Sequence, residues 1–306
     1  MDITVAVCAK NEENTIEDCL KSIQNQSVKP DEIILLDDHS TDSTAKISKK
    51  LGVTLIENQG HQLYDARNTA LKHCNTEVLA FTDADCILEE HWVENILRVL
   101  STKDVAGGTG SHPPQTSNPI VGWIYKNWLI METESTGYTG GVAGGNCYFK
   151  TELLKEIGGW PSLPYANAED VYIAIMLKKA GYKLWFDDNI IAYHYFNTDL
   201  RGFFRKICKA GEAITVMMKK TKMRNSLWWF TLLIPLVALA TILAVVTILM
   251  HKVYGLILLS LILLGSFVFT YCVFGSFRLA IPRLLARWII IWPYGLGIVK
   301  GLFRNI

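Results

Sequence analysis

The first 200 residues alternate between short apolar runs and longer amphipathic stretches. The apolar, β-rich runs predict strands at Ile3–Ala9, Glu32–Asp37, Val53–Glu57 and Val78–Asp83. The amphipathic stretches predict helices at Asn14–Gln24, Ser43–Lys50, Tyr64–His73 and Glu90–Leu100. Because these strands are continuously apolar rather than alternating, we expect a mostly parallel sheet that is covered by helices on both faces. The predicted fold class of residues 1–200 is therefore α/β and Rossmann-like.

A different pattern follows Ser226. Trp228 to Met250 contains no ionisable group, and a helix of that length would reach about 35 Å, enough to cross a hydrocarbon core of about 30 Å. Val253–Phe277 repeats the pattern. We therefore predict two transmembrane helices over residues 227–277. The tail, residues 278–306, has a shorter apolar run that is interrupted by Pro293, which favours an interfacial or re-entrant segment over a third span.

Charge is divided between the two parts of the chain. None of the 29 acidic residues lies after Ser226, whereas six of the 30 basic residues do. Lysine and arginine flank the predicted spans on the side of residues 1–200 and of the tail, so the positive-inside rule predicts a multi-pass membrane protein whose N-terminal domain is cytoplasmic. Residues 201–226 are basic and amphipathic, which predicts helices lying on the membrane surface. A solvated connector is the alternative.

Cysteine usage indicates a reducing compartment. The seven cysteines form no C-x-x-C pair and have no histidines at zinc spacing, so neither a disulfide framework nor a structural metal site is expected. The chain enters a predicted strand at Ile3, so we expect no cleavable signal peptide. No nucleic-acid partner is expected.

Polar residues follow three of the predicted strands. They are Lys10–Glu12, Asp37–Ser40 and Asp83–Asp85. In parallel α/β sheets, ligands bind beyond the carboxyl ends of the strands, so these segments are the first candidates for a functional site. Each segment alone could instead be turn chemistry, a helix cap or a solvated acidic loop.

A set of short motifs follows in order along residues 3–200. They are Thr4–Glu13, Cys19–Ile23, Ile33–Thr44, Ala66–Asn68, Asp83–Asp85, Gly144–Asn146, Gly158–Trp160, Glu169–Asp170 and Ala180–Tyr182. In this order and approximate spacing the chain resembles the family 2 inverting glycosyltransferases with the GT-A fold. The resemblance implies a hexosyltransferase-type enzyme that uses a nucleotide-sugar donor and Mn²⁺ or Mg²⁺.

Asp83 and Asp85 are the candidate metal-binding acids. They lie two residues apart at a strand end, so in an extended chain their carboxylates point to the same side and could hold a divalent cation against a diphosphate. The resemblance implies that Asp85 reaches the metal, that Asp83 engages the ribose side or a metal-bound water, and that His194 ligates the metal or contacts the diphosphate. The alternatives are a helix cap for Asp85 and a packed aromatic cluster for His194.

The resemblance also implies a donor-binding set. Asp38 is expected to hydrogen-bond the nucleobase and Arg67 to lie beside the nucleotide. The remaining members are Ala9, Asn11, Glu12, Asn146 and Glu169. A carboxylate can accept N–H groups from uracil or from guanine, so a UDP-sugar and a GDP-sugar remain equal possibilities.

Asp170 is the candidate catalytic base. Inverting transfer needs a carboxylate to take the proton of the acceptor hydroxyl while its oxygen attacks the anomeric carbon. If the acceptor is a polyprenyl phosphate, its oxygen is already anionic and Asp170 would only orient it. An acid pair that stabilises the first turn of a helix is the structural alternative.

The predicted function is transfer of a sugar to a lipid-linked or polyprenyl phosphate acceptor at the cytoplasmic membrane face. Processive synthases of the resembled family carry a Gln-x-x-Arg-Trp type motif, whereas this chain has Arg201–Lys206 without the tryptophan, so we expect a single addition. Two alternatives remain open. They are a processive polysaccharide synthase and a non-catalytic subunit that binds nucleotide sugars. The glycine-rich segment Gly137–Asn146 lacks the spacing of a P-loop.

Overall fold

The computed structural model describes residues 1–60, 62–128, 135–161, 168–196, 198–221, 226–250, 252–274 and 277–304. The chain divides into two compact units. Unit 1 comprises Met1–Ser117 and Ile130–Asn197, and unit 2 comprises Asn118–Leu129 and Thr198–Ile306. A short internal segment therefore belongs with the C-terminal helices rather than with the N-terminal α/β unit.

The four strands and four helices predicted for the first 102 residues are confirmed, with ends that move by two residues or less, and the structure adds one short strand, Cys86–Leu88. In chain order they are β1 Ile3–Ala9, α1 Ile16–Gln24, β2 Glu32–Asp37, α2 Thr44–Lys50, β3 Thr54–Glu57, α3 Leu63–His73, β4 Val78–Asp83, β5 Cys86–Leu88 and α4 Trp92–Thr102. Helix α1 shows why the pattern works. Ile16, Leu20 and Ile23 repeat at helical spacing and are fully buried, while the acidic residues of its first turn face outward.

The elements that follow are shorter. They are β6 Gly107–Gly110, β7 Pro114–Gln115, α5 Pro119–Trp128, β8 Gly137–Thr139, β9 Asn146–Lys150, α6 Thr151–Glu156, α7 Glu169–Lys179, β10 Leu184–Asp187 and β11 Ala192–Tyr195. The run Lys183–Tyr193 looks like one strand in the sequence but forms two, β10 and β11. An Asp187–Asn189 turn separates them, in which Asp187 accepts a hydrogen bond from the Asn189 backbone.

The main sheet of unit 1 is mixed, although most of its strands run in the same direction, as expected. It has eight strands in the order β3-β2-β1-β4-β9-β6-β10-β8. The first four strands are parallel, whereas β9 runs antiparallel to both β4 and β6, and β8 runs antiparallel to β10. Strand β9 is buried on both faces, as a parallel strand would be, so its direction does not follow from its burial pattern.

Strand register brings the polar strand ends together. Ala9 is paired with Asp37, and Cys8 is paired with Asp83, so β1, β2 and β4 end at the same level. The predicted carboxyl edge is thus confirmed. A second, three-stranded sheet in the order β5-β11-β7 pairs His194 with Cys86 and with Pro114. This small sheet therefore places His194 next to the strand that follows Asp85.

Unit 2 is helical. Besides α5 it contains α8 Leu200–Lys220, α9 Ser226–Met250, α10 Lys252–Phe274 and α11 Phe277–Phe303. Helix α8 is amphipathic, as predicted, but its apolar face is buried against α11 of the same unit. Gly211, Gly297 and Gly301 permit this close packing because a Cβ on any of them would overlap the other helix. The apolar face of α8 is therefore not available to a membrane surface.

The tail is one continuous helix rather than an interrupted segment. Helix α11 includes both Pro282 and Pro293, and Lys219 holds its end by donating to the carbonyl oxygens of Leu302 and Arg304 at 3.0 and 3.1 Å. In the described part of the chain, no helix has both the length and the hydropathy that a membrane crossing requires. The two predicted transmembrane helices are therefore not supported. Lys222 and Arg224, which contributed to the charge argument, lie outside the described residues.

Candidate active site

The loops after β1 and β2 interlock at the carboxyl edge of the sheet. Asp38 accepts hydrogen bonds from Lys10 Nζ and from Asn58 Nδ2, each at 2.9 Å, and its backbone N–H donates to the carbonyl of Ala9 at 2.8 Å. Asp38 is only partly buried, so a ligand could still reach its carboxylate. Asp37 instead accepts from the Ser40 backbone at 3.2 Å, which is turn chemistry.

Asn11 and Glu12 hold the same edge. Asn11 has a φ of 56°, a left-handed conformation that is unusual for a residue other than glycine. Its Oδ1 accepts from the Thr41 backbone at 2.8 Å, while the Glu12 backbone donates to Thr44 Oγ1 at 2.8 Å. Ala9 is buried, whereas Asn11 is exposed. The predicted donor-binding roles of Ala9, Asn11, Glu12 and Asp38 remain predictions, but the structure places all four at one edge.

The predicted metal-binding residues also meet. Asp85 and His194 are 109 residues apart in the chain, yet Asp85 Oδ2 lies 3.2 Å from His194 Nε2. His194 stacks on His112, with ring centroids 4.8 Å apart. Sequence reasoning missed His112. It lies two residues beyond β6, and the rule that polar residues follow sheet strands could have found it had β6 been recognised among its glycines.

The Asp85–His194 pair fits a small divalent cation only in part. No group of three or more histidine, cysteine, aspartate or glutamate side chains with metal-binding geometry occurs among the described residues. A hard cation that binds a diphosphate, however, usually takes one or two carboxylates and completes its shell with phosphate oxygens and water. Asp85 and His194 are partly exposed, with side-chain exposures of 23% and 17%, so both remain accessible to a ligand.

Two glycines separate the metal-side acids from the candidate base. A Cβ on Gly145 would lie 2.6 Å from Asp83 Oδ2 and 2.9 Å from a carbon of the His112 ring. A Cβ on Gly144 would lie 3.1 Å from Glu169 Oε1 and 3.8 Å from the Asp170 Cβ. A side chain at Gly145 would have to displace the Asp83 carboxylate, and one at Gly144 would press against Glu169, so glycine lets the backbone lie close to both acidic groups. The Gly144–Gly145 backbone is thus the wall between the two acidic groups.

The acids around this wall have raised pKa values. Burial and the neighbouring charge of Asp170 raise the pKa of Glu169 from an ordinary value of 4.5 to about 7, while Arg67 opposes the shift. Burial also raises the pKa of Asp170, against the lowering effect of hydrogen bonds from the Val171 and Gly144 backbone and of the Arg67 charge. The pKa of Asp83 rises for the same reason, with Asp85 adding to it. Acids whose pKa values are raised together in this way are typical of functional sites.

Glu169 should make the stability of the protein depend on pH. Because its pKa is higher in the folded state, its protonated form stabilises the fold; this contribution is complete below pH 4.5 and is lost as the pH rises through about 7. We expect the melting temperature of metal-free protein to fall over this range, and to fall less in Glu169→Gln. Differential scanning calorimetry at several pH values measures it.

Glu152→Gln is the matched control, since Glu152 is also a first-turn acid but is exposed on α6. It should keep the pH dependence of the wild type. Identical curves for Glu169→Gln and the wild type would contradict the raised pKa.

The side chain of Asn146 is bonded to other parts of the protein. It is fully buried, accepts from Trp92 Nε1 at 2.8 Å, and donates to the carbonyls of Ser111 and Ile190 at 2.8 and 2.9 Å. These three bonds use its oxygen and both its amide hydrogens. Its side chain therefore joins β9 to α4 and to two loops, and the donor-binding role expected for Asn146 remains a prediction.

Replacing Asn146 by alanine should destabilise the protein by about 3 kcal/mol, because three buried polar partners lose their hydrogen bonds. Urea unfolding measures the change. Asn95→Ala, which removes a bond to the Asn189 carbonyl in an exposed setting, should cost much less. A stable Asn146→Ala variant that no longer binds a nucleotide would support a direct donor contact instead.

Trp160 is core rather than a sugar platform. It is 3% exposed, and its ring packs edge-on against Phe81 with centroids 5.5 Å apart. Its indole N–H donates to the Glu169 carbonyl at 3.2 Å. Trp160 therefore belongs to the core beside the candidate base.

Comparisons with known proteins identify relatives of this chain. The chain is 24% identical over 203 residues to the glycosyltransferase AglE of Haloferax volcanii, covering 63% of this chain and 66% of that protein. It is 22% identical over 257 residues to a Methanococcus voltae protein named dolichyl N-acetyl-alpha-D-glucosaminyl phosphate 3-beta-D-2,3-diacetamido-2,3-dideoxy-beta-D-glucuronosyltransferase, covering 74% of this chain and 77% of that protein.

Solved structures show the same fold. A mannosyltransferase from Pyrobaculum calidifontis, in complex with GDP-Man and Mn²⁺, superposes with a TM-score of 0.61 at 20% identity over 98% of this chain and 87% of its own. Glucosyl-3-phosphoglycerate synthase from Mycobacterium tuberculosis, in complex with Mn²⁺, UDP and phosphoglyceric acid, gives 0.51 at 18% identity over 74% and 80%. Residues 4–158 match the glycosyl transferase family 2 domain, which is half of the chain. The chain therefore belongs to glycosyl transferase family 2 and is a glycosyltransferase.

Proposed function

We propose that this enzyme transfers a sugar from a nucleoside diphosphate donor to a lipid-linked acceptor, with inversion and with the help of a divalent cation. The observation that carries the proposal is the Gly144–Gly145 wall, which has Asp83 on one side and Glu169 and Asp170 on the other. A donor diphosphate beside Asp83 and Asp85 would thus be within one sugar of Asp170. Such proximity is what transfer between two bound substrates requires.

A divalent cation suits the charge of the site. Asp83, Asp85, Glu169 and Asp170 lie around one wall, and Arg67 is the cation whose charge acts on Asp83, Glu169 and Asp170. A diphosphate would add further negative charge. Asp85 and His194 would hold the cation, which would stabilise the charge that develops on the departing diphosphate. The two related structures described above are complexes with Mn²⁺, which supports Mn²⁺ or Mg²⁺ here.

Asp170 acts as the base in this proposal. Its Oδ1 accepts from the Val171 backbone at 2.7 Å at the start of α7, which fixes the carboxylate. Burial raises the pKa of Asp170, which makes its carboxylate a stronger base toward the hydroxyl proton of an acceptor. The acceptor oxygen loses its proton to Asp170 as it bonds to the anomeric carbon, and the carbon–oxygen bond to the diphosphate breaks.

A lipid-linked acceptor is supported by unit 2. Large apolar side chains of α9 and α10 are exposed, including Leu236 at 60%, Leu243 at 54%, Tyr254 at 71% and Leu261 at 61%. Contiguous apolar surface of this kind is costly in water and marks a contact with lipid or protein. We propose that it contacts the acyl chains of a bilayer. The name of the Methanococcus voltae relative refers to a dolichyl-linked acceptor, which agrees with this choice.

We further propose that the product receives one sugar per binding event and that unit 1 lies on the cytoplasmic side. The absence of the tryptophan within Arg201–Lys206 supports the first statement, and the basic residues that precede α9 support the second. A distribution of long products from purified enzyme would contradict the first. Protease cleavage of unit 1 in intact cells, rather than only in opened membranes, would contradict the second.

The test of donor class is thermal shift of the purified enzyme with UDP, GDP, CDP or dTDP, each with and without Mn²⁺. A nucleotide present at 100 times its dissociation constant stabilises a protein by about 2.7 kcal/mol. Stabilisation by one nucleotide that needs Mn²⁺ is the expected result and names the base. No stabilisation by any nucleotide would contradict the proposal and favour a subunit that does not turn over a sugar donor.

The test of lipid contact is flotation with vesicles of phosphatidylcholine, alone or with phosphatidylglycerol. The full chain should float with both compositions. Leu236→Ser/Leu243→Ser/Leu261→Ser should float less, whereas a triple replacement of the exposed residues Lys29, Lys49 and Lys103 by serine should not change flotation. Full-chain protein that stays in the soluble fraction with both vesicle types would contradict the proposal.

A further inference from the structure

One face of α3 reaches both segments that frame the candidate base. Arg67 and Asn68 are adjacent on this helix; Arg67 is buried, Asn68 is partly buried, and both donate hydrogen bonds to backbone carbonyls. Arg67 reaches the glycine wall at Gly144, and Asn68 reaches Trp160, which lies on the other side of Glu169. Helix α3 thus touches the two backbone segments between which Glu169 and Asp170 are held.

Arg67 is 1% exposed, which decides what its guanidinium can contact. Nη2 donates to the Gly144 carbonyl at 2.9 Å and lies 3.7 Å from Glu169 Oε1. The guanidinium also lies over the ring of Phe81, 4.7 Å from its centroid. A cation enclosed in this way is paired and stacked, and it has little surface left for a nucleotide.

Asn68 clamps the second segment. Its Nδ2 donates to the Trp160 carbonyl at 2.7 Å, and its Oδ1 accepts from the Trp160 backbone N–H at 2.9 Å. The neighbouring Gly159, with a φ of 64°, leaves room for this amide, because a Cβ there would lie 2.6 Å from Asn68 Oδ1. Trp160 in turn donates from its indole to the Glu169 carbonyl. Three hydrogen bonds, two between Asn68 and Trp160 and one between Trp160 and Glu169, therefore link α3 to the start of α7.

We propose that Arg67 and Asn68 are positioning residues: they fix the Gly144 wall and the Glu169–Asp170 helix start, and they do not bind the donor. The inference rests on the proposed function, since it takes Asp170 as the base. It departs from the family resemblance, which would place Arg67 beside the nucleotide. The two assignments make opposite statements about donor affinity.

Arg67→Met and Arg67→Lys test the proposal in the full-length enzyme. Arg67→Met should keep the Mn²⁺-dependent affinity for the preferred nucleoside diphosphate within about threefold, while kcat at saturating donor falls about 100-fold, as expected for a shift of the base by about 1 Å. Arg67→Lys, which keeps the charge but cannot span both partners, should fall in between. Isothermal titration calorimetry gives the affinity, and steady-state kinetics gives kcat and KM.

Arg98→Met is the matched control. Arg98 also pairs with a buried carboxylate, with Nη2 2.8 Å from Asp187 Oδ2, but on α4 away from the Gly144 wall. It should lower the melting temperature and leave kcat within about twofold. An equal loss of kcat in Arg98→Met and Arg67→Met would show that general destabilisation, not positioning, causes the effect.

The conservative variant adds a readout that a merely structural role would not move. Arg67→Lys, which keeps the charge beside Gly144 and Glu169, should recover at least about tenfold of the kcat that Arg67→Met loses. Equal kcat in the two variants would count against the proposal. If Arg67→Met does not fold, Asn68→Ala and Arg67→Lys decide, and both should lower kcat with unchanged donor affinity.

The result that would overturn the inference is a loss of nucleotide affinity of tenfold or more in Arg67→Met or Asn68→Ala with unchanged kcat at saturation. This outcome differs from failure of the proposed function, which would be seen in the wild-type enzyme as binding to no nucleoside diphosphate in the presence of Mn²⁺.

Discussion

Asp170→Asn should lower kcat for a hydroxyl acceptor by about 10³-fold while the affinity for the donor nucleotide stays unchanged. An amide has nearly the same shape as the carboxylate and can still meet the Val171 N–H, but it cannot accept the acceptor proton. Because Asp170 lies on the far side of the Gly144–Gly145 wall from Asp83, the metal-side contacts should persist. Kinetics at saturating donor, together with calorimetric titration of the nucleoside diphosphate, separate the two effects.

Glu152→Gln is the control for this prediction. It removes an equivalent first-turn charge from α6, where the side chain is exposed, and it should leave kcat unchanged. If Asp170→Asn loses donor binding and transfer in parallel, Asp170 binds the donor and another group takes the proton. If Asp170→Asn transfers at the wild-type rate, the acceptor oxygen is anionic before it attacks, as in a phosphate acceptor.

Asp85→Asn should weaken Mn²⁺-dependent nucleotide binding by at least about 100-fold, and transfer should fall with it. A neutral amide oxygen is a poorer ligand for a hard cation than a carboxylate. The site has only a few protein ligands, so the loss of one weakens cation binding strongly. The contact between Asp85 and His194 places both groups where they would hold the cation. Titration of Mn²⁺ followed by electron paramagnetic resonance measures metal affinity without relying on activity.

The control for Asp85→Asn is Asp188→Asn. Asp188 also follows a strand of the main sheet, but it is exposed and accepts a hydrogen bond from Thr136. It should bind Mn²⁺ and nucleotide as the wild type does. Normal Mn²⁺ affinity in Asp85→Asn would refute the metal role of Asp85, and nucleotide binding that does not depend on Mn²⁺ in the wild type would refute the metal dependence.

The first four strands and four helices could be predicted from the sequence because each is specified locally. A continuously apolar run between polar turns, such as Ile3–Ala9, has one stable placement in a covered sheet. The parallel order of these strands then follows from the helices between them, and with it the common edge where Asp38 and Asp83 lie. The family followed from the order of the motifs, which is a property of the chain alone, and the candidate acids of the site were chosen from the same motifs.

Other features depend on contacts between distant segments. The direction of β9, and hence the mixed sheet, is set by which strands it meets, not by its composition. The apolar face of α8 reads as a membrane-binding face in the sequence, but α11 covers it, because glycines on both helices allow close approach. An amphipathic pattern predicts that the apolar face of a helix is buried, but it does not predict which surface covers that face.

The sequence by itself thus determined the fold family and the types of residue that the site contains. These are an α/β family 2 domain, acids at the strand ends and a Glu169–Asp170 pair at the start of a helix. The tertiary structure alone decided the rest of the site. It brought His194 to Asp85 through pairing of β11 with β5, passed two glycines between Asp83 and Glu169, and enclosed Arg67 beneath that wall. These relations join residues up to 109 positions apart, and only the packing of the folded chain fixes such distances.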